Sequence, residues 1–202
     1  MRQQIQSILL EMRNEFLQPH TRPWIVGFSG GKDSAILAHL TAEMLLSIAP
    51  DLRQRRKVYI VCNDTQVESP VFESFVEKTL SRMKEGFDAL RLPIEVIRTR
   101  PEIKDTFWFN LIGKGYPAPN PKFRWCVDRL KIRPTTKFLR DTVHEGGEAI
   151  LLLGVRKSES IARARRIEKY SKESDYARLV PHHDIQGCSI FRPIMDLTTE
   201  QV

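Results

Sequence analysis

Apolar positions along this chain follow two alternating rhythms. Ile5, Ile8, Leu9, Met12 and Phe16 recur at helical spacing with polar residues between them, which predicts an N-terminal helix. Then "WIVGFS", Trp24 to Ser29, is a short continuous apolar run that stops at glycines, the pattern of a strand buried on both faces. Helical spacing returns from Asp33 to Ile48 through Ile36, Leu37, Leu40, Met44 and Leu45. "KVYIVCND", "IEVIRT" and "EAILLLGVR" predict three more strands. Between them lie a long amphipathic helix from Ser69 to Leu90, with Ser69 as N-cap and Pro70 at its first position, and a helical stretch from Glu102 to Ile112. Pro134 to His144 is helical and closes at Gly146-Gly147, and "KSESIARARRIEKY" predicts a further helix. "APDLRQRR" reads as a polar linker, "GKGYPAPNPKFRWC" as a Gly- and Pro-rich loop, and residues 171–190 as a loop or flap.

Apolar strands alternating with helices predict an α/β fold: a doubly wound, mainly parallel sheet with helices on both faces. The expected organisation is an N-terminal helix over residues 1–22 and one domain over 23–202. In the closing "TTEQV", Thr198 and Gln201 stand at capping-box spacing and open a helix, so the domain is expected to be cut short at its C-terminal end.

Composition narrows this picture only a little. The 202 residues suffice for one domain with a substantial core, and 41% hydrophobic with 28% charged residues is ordinary for a globular chain. No apolar run approaches the roughly 18 residues of a membrane span, and the first helix lacks the pattern of a secretory signal, so a cytoplasmic location without membrane partners is expected. Cys62, Cys126 and Cys188 are far apart, which argues against a disulfide framework and against a complete zinc site. The net charge of +7 is clustered. Lys122 to Arg140 holds Arg124, Arg129, Lys131, Arg133 and Lys137 against the single acid Asp128, and a second cluster runs from Arg156 to Lys172 through Arg163. Such clusters face a polyanion or form a solvated helix face, and charge alone leaves both open.

The chemistry concentrates where the first strand meets the next helix, at Ser29-Gly30-Gly31-Lys32-Asp33-Ser34. A Walker A loop fails here: Val26 stands where its first glycine belongs, and Asp33 follows Lys32 in place of Ser or Thr. Gly27-Phe28-Ser29-Gly30-Gly31 does satisfy the hydrolase pattern G-x-S-x-G. With Ser29 as nucleophile and His144, His182 or His183 downstream, a serine hydrolase stays open. It leaves Lys32 and Asp33 without a task. All six residues resemble the PP-loop of the ATP pyrophosphatase superfamily. Gly30 and Gly31 permit positive φ and close approach, amides at a helix N-terminus attract anions, and the Ser29 and Ser34 hydroxyls add donors. In this reading Lys32 meets the β- and γ-phosphates of ATP and Asp33 holds Mg2+.

Further stretches resemble the phosphoadenylylsulfate reductase-like branch of that superfamily, with its adenine nucleotide α-hydrolase-like (HUP-type) fold. "NDTQVESP", Asn63 to Pro70, resembles its D-T-G-x-E-x-P element with Gln66 in place of glycine. "LGVRKSESIARARR", Leu153 to Arg166, resembles its G-x-R-x-x-E-S-x-x-R element, and "RPIMDLTTEQV" its closing Pro-x-x-Asp-Trp-Thr element with Leu197 for Trp. The Glu-Cys-Gly motif of the reductases does not occur, which points away from sulfate reduction itself. "FWFNLIGKGYPAPNPKFRWCVDRLKIRP", Phe107 to Pro134, is very similar to the DndC/SspD-like enzymes of bacterial DNA phosphorothioation, which exchange a non-bridging oxygen of the DNA backbone for sulfur.

That resemblance implies an ATP pyrophosphatase or sulfurtransferase component with ATP and Mg2+ as cofactors and DNA as partner. A cysteine desulfurase as sulfur source and other proteins of the phosphorothioation system are implied as well. It places Asp64, Thr65 and Gly154 around the nucleotide. Arg124, Lys131, Arg156 and Arg163 fall to the acceptor phosphate, since guanidinium binds phosphate oxygens bidentately. Cys126, between Trp125 and nearby Arg129 and Lys131, becomes a candidate sulfur carrier, because cationic neighbours favour thiolate; a small buried residue is the alternative. An iron–sulfur cluster belongs only to a longer chain. The alternative within sulfur chemistry is a phosphoadenylylsulfate reductase-like or sulfate-activating enzyme. His182-His183-Asp184 suggests a flap contact more than a metal site, because neighbours on an extended strand point to opposite faces. Trp108 and Phe109 either stack on a base or, at near-helical spacing with Leu111 and Ile112, belong to the core.

Overall fold

The computed structural model describes residues 2–159 and 178–202. Its elements in order are α1 (Arg2–Phe16), β1 (Trp24–Phe28), α2 (Lys32–Leu46), α3 (Pro50–Arg53), β2 (Val58–Asn63), α4 (Pro70–Ala89) and β3 (Ile94–Thr99). There follow α5 (Trp125–Val127), α6 (Arg133–Gly146), β4 (Ala149–Leu152), β5 (Leu179–Pro181) and β6 (Cys188–Phe191). The strands form one sheet in the order β3-β2-β1-β4-β6-β5. All neighbours are parallel except β5, which runs antiparallel to β6.

Alternation within each strand builds two cores, because successive side chains leave a strand on opposite faces. Trp24, Val26 and Phe28 of β1 join Val58, Ile60 and Cys62 of β2 on one face, under α1, α2 and α4. On the other face Ile25 of β1, Val61 of β2 and Leu151 of β4 pack with Leu139 of α6. The expected doubly wound α/β architecture is thus the observed one. α1 belongs to this body: Ile8, Met12 and Phe16 are buried, the Phe16 ring meets Trp24 edge-on at 5.2 Å, and Trp24 Nε1 donates to Glu15 at 2.7 Å. No helix among the described residues is long and apolar enough to cross a membrane.

The topology fixes where a ligand goes. From β1 the chain winds outward through β2 to β3, then crosses back to β4 on the other flank of β1. Between β1 and β4 the order reverses, and such a switch point opens a crevice beyond the carboxyl ends of the strands.

Several local expectations are corrected. The polar linker contains the single turn α3, opened by Pro50. Residues 102–112 form two pieces, a 3-10 turn at Ile103–Asp105 and a π-type turn at Phe109–Gly113. Asn110 bridges the two pieces: its Nδ2 donates to the carbonyls of Lys104 (3.1 Å) and Thr106 (2.8 Å). Residues 178–190 are no plain loop, since β5 and β6 form there, and Cys188 is a buried strand residue. His182 and His183 do not diverge; past the end of β5 their rings stack with centroids 5.0 Å apart. Of the helix expected over 157–170, only the turn Lys157–Glu159 lies within the described residues.

Candidate active site at the head of the sheet

Residues 29–34 join β1 to α2 at the switch point. The turn closes on Ser34, whose hydroxyl donates to Gly31 O at 2.8 Å and accepts from Ser29 N at 3.1 Å. The two hydroxyls, Ser29 Oγ and Ser34 Oγ, are 3.2 Å apart. Gly30 has φ +75°, and a Cβ there would press on Val76 at 3.0 Å and Phe72 at 3.3 Å. No side chain caps α2, so its first amides stay available, and the helix dipole favours an anion there.

Gly154, just beyond β4, seals the turn from the side. A Cβ on it would lie 2.7 Å from Asp33 O and 3.3 Å from Ser34 N, so only glycine lets the two backbones approach. Between them opens a cleft of about 480 Å3 whose walls include Ser29, Gly31, Lys32, Ser34, Gly154 and Val155.

Asp33, in the wall of this cleft, is bonded directly to Arg156, which does not line it. Arg156 is buried, and its guanidinium spans both Asp33 oxygens at 2.8 and 3.3 Å. It also donates to Ser158 Oγ at 2.9 Å and Thr199 Oγ1 at 3.2 Å, while its own amide donates to Glu159 at 3.2 Å. Exposed Lys32 donates to Thr199 O at 3.2 Å. The segment around Thr199 therefore lies against both charged residues of the turn.

At the end of β2, Asp64 and Thr65 are buried. Asp64 takes Arg100 Nε at 2.9 Å and Arg98 Nη2 at 3.4 Å, and its other oxygen accepts Gln66 N at 3.1 Å. Gln66, which stands at the glycine of the D-T-G-x-E-x-P pattern, has φ 60°. Thr65 Oγ1 donates to Glu68, which Lys131 approaches at 3.6 Å. Arg124 is exposed at the start of α5 and Cys126 is half-buried within it; neither these two nor Lys131 lines the cleft. Arg163 lies outside the described residues. The structure adds Asn63 and Thr135 to the cleft wall, where Thr135 Oγ1 donates to Asn63 Oδ1 at 3.0 Å. Asn63 stands just before the D-T-G-x-E-x-P-like element and Thr135 just after the Phe107–Pro134 block, neither at a motif position, and the packing of α6 against β2 brings them together.

The cleft suits a polyphosphate. It does not suit a serine hydrolase: among the described residues no histidine lines it, so Ser29 has no general base there. Among the described residues no group of three or more side chains is arranged as a metal site. Asp33 offers one carboxylate at the turn, which fits Mg2+ carried mainly by a nucleotide's own phosphates and water. Cys62 and Cys188 are buried in separate strands, and burial raises each thiol to about 11. The three cysteines do not fit a cluster.

Comparison with known proteins agrees with this geometry. The model of the phosphoadenosine phosphosulfate reductase domain family matches residues 23–202. This chain belongs to that family. An uncharacterized protein of Methanocaldococcus jannaschii is 30% identical over 145 residues, which are 72% of this chain and 25% of that protein. The chain thus spans about a quarter of the curated relative it matches. Its fold is similar to the U34-tRNA thiolase NcsA of Methanococcus maripaludis, solved with its [4Fe-4S] cluster, with a TM-score of 0.54 at 15% identity, covering 98% of this chain and 61% of that one. A phosphate complex of phosphoadenylyl-sulfate reductase from Candida auris is similar with a TM-score of 0.52 at 13% identity, covering 98% and 81%.

Proposed function

We propose that this domain splits ATP to AMP and pyrophosphate and so activates a DNA backbone phosphate for sulfur incorporation. The observation that carries the nucleotide half is the Ser29–Ser34 turn: uncapped amides at a helix N-terminus, at the switch point, sealed by Gly154. Such a turn holds a departing pyrophosphate and stabilises its growing charge. Lys32 neutralises the β- and γ-oxygens, and Asp33, aligned by Arg156, offers the protein's oxygen to Mg2+. When bound, the ion neutralises charge on the leaving pyrophosphate.

The DNA half rests on the Phe107–Pro134 block and on the basic residues beside the cleft. A non-bridging oxygen of the DNA phosphate attacks the α-phosphorus of ATP, and pyrophosphate leaves. Cys126 takes the outer sulfur of a cysteine desulfurase's persulfide by thiol exchange, and a small-molecule dithiol reduces the Cys126 persulfide to hydrosulfide and is itself oxidised to a disulfide. The hydrosulfide forms the P–S bond at the DNA phosphorus as AMP departs with that oxygen. Arg124 and Lys131 serve the acceptor, and Cys126 is accessible enough to receive sulfur. Arg156 does not reach an acceptor while it holds Asp33, so its role is to position that carboxylate. Other phosphorothioation proteins and a cytoplasmic setting belong to the same proposal.

The family match gives a second reading a specific footing, a phosphoadenylylsulfate reductase-like or sulfate-activating enzyme, whose sulfur substrate is an adenylylated sulfate or sulfate in place of DNA. One experiment decides among these. The protein is incubated with ATP labelled at its α-phosphate and Mg2+, with and without DNA or sulfate. AMP with pyrophosphate, stimulated by DNA, is expected. ADP with phosphate overturns the nucleotide chemistry, and stimulation by sulfate alone overturns the DNA acceptor.

A further inference from the structure

Beside the nucleotide cleft lies a second cavity of about 660 Å3, and the two meet at the first turn of α6. There Thr135 faces the nucleotide cleft, while Pro134 and Thr136 line the second cavity. Arg129, Arg133, Lys137 and Arg140 run along the second cavity, three of them at i, i+4 and i+7 on α6, joined by Arg100 and Lys104 from the segment after β3. Four of the seven basic residues between Lys122 and Arg140 thus line this cavity.

These cations are held in place. Buried Asp105 binds Arg129 and, at 3.0 Å, Arg133, while Asp128 takes Arg133 Nε at 2.9 Å. Burial raises the Asp105 carboxyl, but the two arginines win and hold it below the ordinary carboxylate range. Glu102 links Lys104 (2.9 Å) and Lys137 (3.4 Å). Arg129 also donates to Tyr116 Oη at 2.9 Å. Guanidinium groups fixed this way present their remaining N–H groups to a phosphate chain with little further ordering cost.

An aromatic shelf adjoins this wall. Trp108 is 58% exposed and Phe109 42%. Consecutive exposed aromatic rings make an apolar patch of the kind that binding sites present. The shelf is rigid below, where Phe107 stacks on Trp125 at 5.3 Å, Trp125 meets Tyr116 edge-on at 5.5 Å, and Trp125 Nε1 donates to Pro117 O at 3.0 Å. Lys114 ties shelf to wall: its Nζ lies over the Phe109 ring at 5.2 Å and donates to Lys104 O at 2.9 Å.

We infer that the cavity wall and the shelf together grip an unpaired stretch of the DNA acceptor strand, phosphates along the arginines and bases on Trp108 and Phe109. This rests on the DNA acceptor proposed above. The aromatic faces decide single strand over duplex, because a paired base in a stack offers no free π-face, whereas every unpaired base does. The cavity lining also includes the carboxylates Asp141 and Asp184, so the phosphates are met by the row of cations on α6 rather than by a uniformly basic surface, in a chain whose net charge is +7.

The test is fluorescence anisotropy of a labelled oligodeoxynucleotide, alone and annealed to its complement, against the full chain. Single-stranded DNA is expected to bind at least about tenfold more tightly than the duplex. Trp108→Ala and Phe109→Ala are each expected to weaken single-strand binding about 5- to 100-fold, with Trp108→Phe retaining it. Lys137→Ala is expected to lower the salt dependence by about one unit of slope. Circular dichroism checks that each variant is folded. Equal or tighter duplex binding overturns the inference, as does single-strand affinity untouched by both aromatic variants. Pyrophosphate release measured on the same preparations without DNA keeps the two readings apart. Its loss alongside intact strand discrimination sinks the nucleotide chemistry only; the converse sinks the grip only.

Discussion

Asp33 and Arg156 are bonded through both carboxylate oxygens, at 2.8 and 3.3 Å, although 123 residues separate them. One belongs to the phosphate turn and the other to the loop after β4, so the pair closes the turn onto the far flank of the switch point. Arg156 is 3% exposed, while the Asp33 side chain is 19% exposed. Removing the guanidinium leaves a largely desolvated carboxylate without its main partner. Arg156→Ala is expected to cost about 2 kcal/mol in urea unfolding and to lower pyrophosphate release as well. Arg156→Lys recovers little of either, since an ammonium cannot span two oxygens in a plane. Full activity in the lysine variant overturns the positioning role.

Gly154 gives a sharper steric prediction. Its missing Cβ is what allows backbone atoms of Asp33 and Ser34 to stand beside β4. The opposing atoms are main-chain and cannot swing aside. Gly154→Ala is expected to destabilise by about 1–3 kcal/mol and to weaken ATP binding, read as a raised Kd in a nucleotide titration. Gly86, where nothing lies within 4 Å of an added Cβ, is the control. Within α4, Gly86→Ala is expected to stabilise slightly.

These two contacts mark how much was legible in the sequence. The elements around the turn carry their own signals: β1 as an apolar run, α2 by spacing, α4 by Ser69 and Pro70. Ser69 Oγ does accept Phe72 N, at 3.3 Å. Long, strongly periodic segments come through because their hydrophobic face is local information. β5 and β6, of three and four residues, are too short to show a period, and pairing alone makes them strands, β6 against β4 and β5 against β6 at the sheet edge. Asn63 and Thr135 meet only through tertiary packing. Trp108 stands at helical spacing yet is 58% exposed, on a short helical piece that runs into the π-type turn Phe109–Gly113. Spacing tells which residues share a face, never whether that face is covered.

Gln66 carries a cost that the sequence only hints at. Its φ of 60° is left-handed, which glycine adopts freely and a side chain resists. The hydrogen bond from its amide to Asp64 Oδ1 holds it there. Gln66→Gly is expected to raise the unfolding free energy by up to about 1 kcal/mol, read from the urea midpoint, since relief of strain exceeds the extra chain entropy of glycine. Gln66→Val, with a β-branched side chain, is expected to lower it. A stabilised valine variant rules out strain at this turn.

Accessibility separates the three thiols. Cys62 and Cys188 are buried, and desolvation raises both to about 11, whereas Cys126 is half-buried at the foot of the aromatic shelf. Brief alkylation of the native protein at pH 8, read by peptide mass spectrometry, is expected to label Cys126 alone. Cys62 and Cys188 follow only in denaturant. Labelling of Cys188 at the same rate as Cys126 contradicts its place in β6 and removes the reason for choosing Cys126 as the sulfur-accepting thiol.

The pH dependence of stability has its own source, far from the cleft. His20 Nε2 lies 3.2 Å from Glu15 Oε1, and its Nδ1 is buried without a partner. Desolvation, then the charges of Arg56 and Arg22, lower its pKa to about 4, with Glu148 opposing. The folded state therefore binds fewer protons than the unfolded state between about 6.5 and 4. Stability from neutral His20 is complete above 6.5 and falls as pH drops toward 4. Glu15, raised mainly by burial, pulls the other way near its own titration, but His20→Gln keeps Glu15 and a donor facing it. The difference between wild type and variant therefore isolates the imidazole. Between pH 7 and pH 5 the wild type is expected to lose about 1 kcal/mol more than the variant, an amount reduced for the ring's partial contact with water. Urea midpoints at the two pH values measure it, and parallel curves place the titrating group elsewhere.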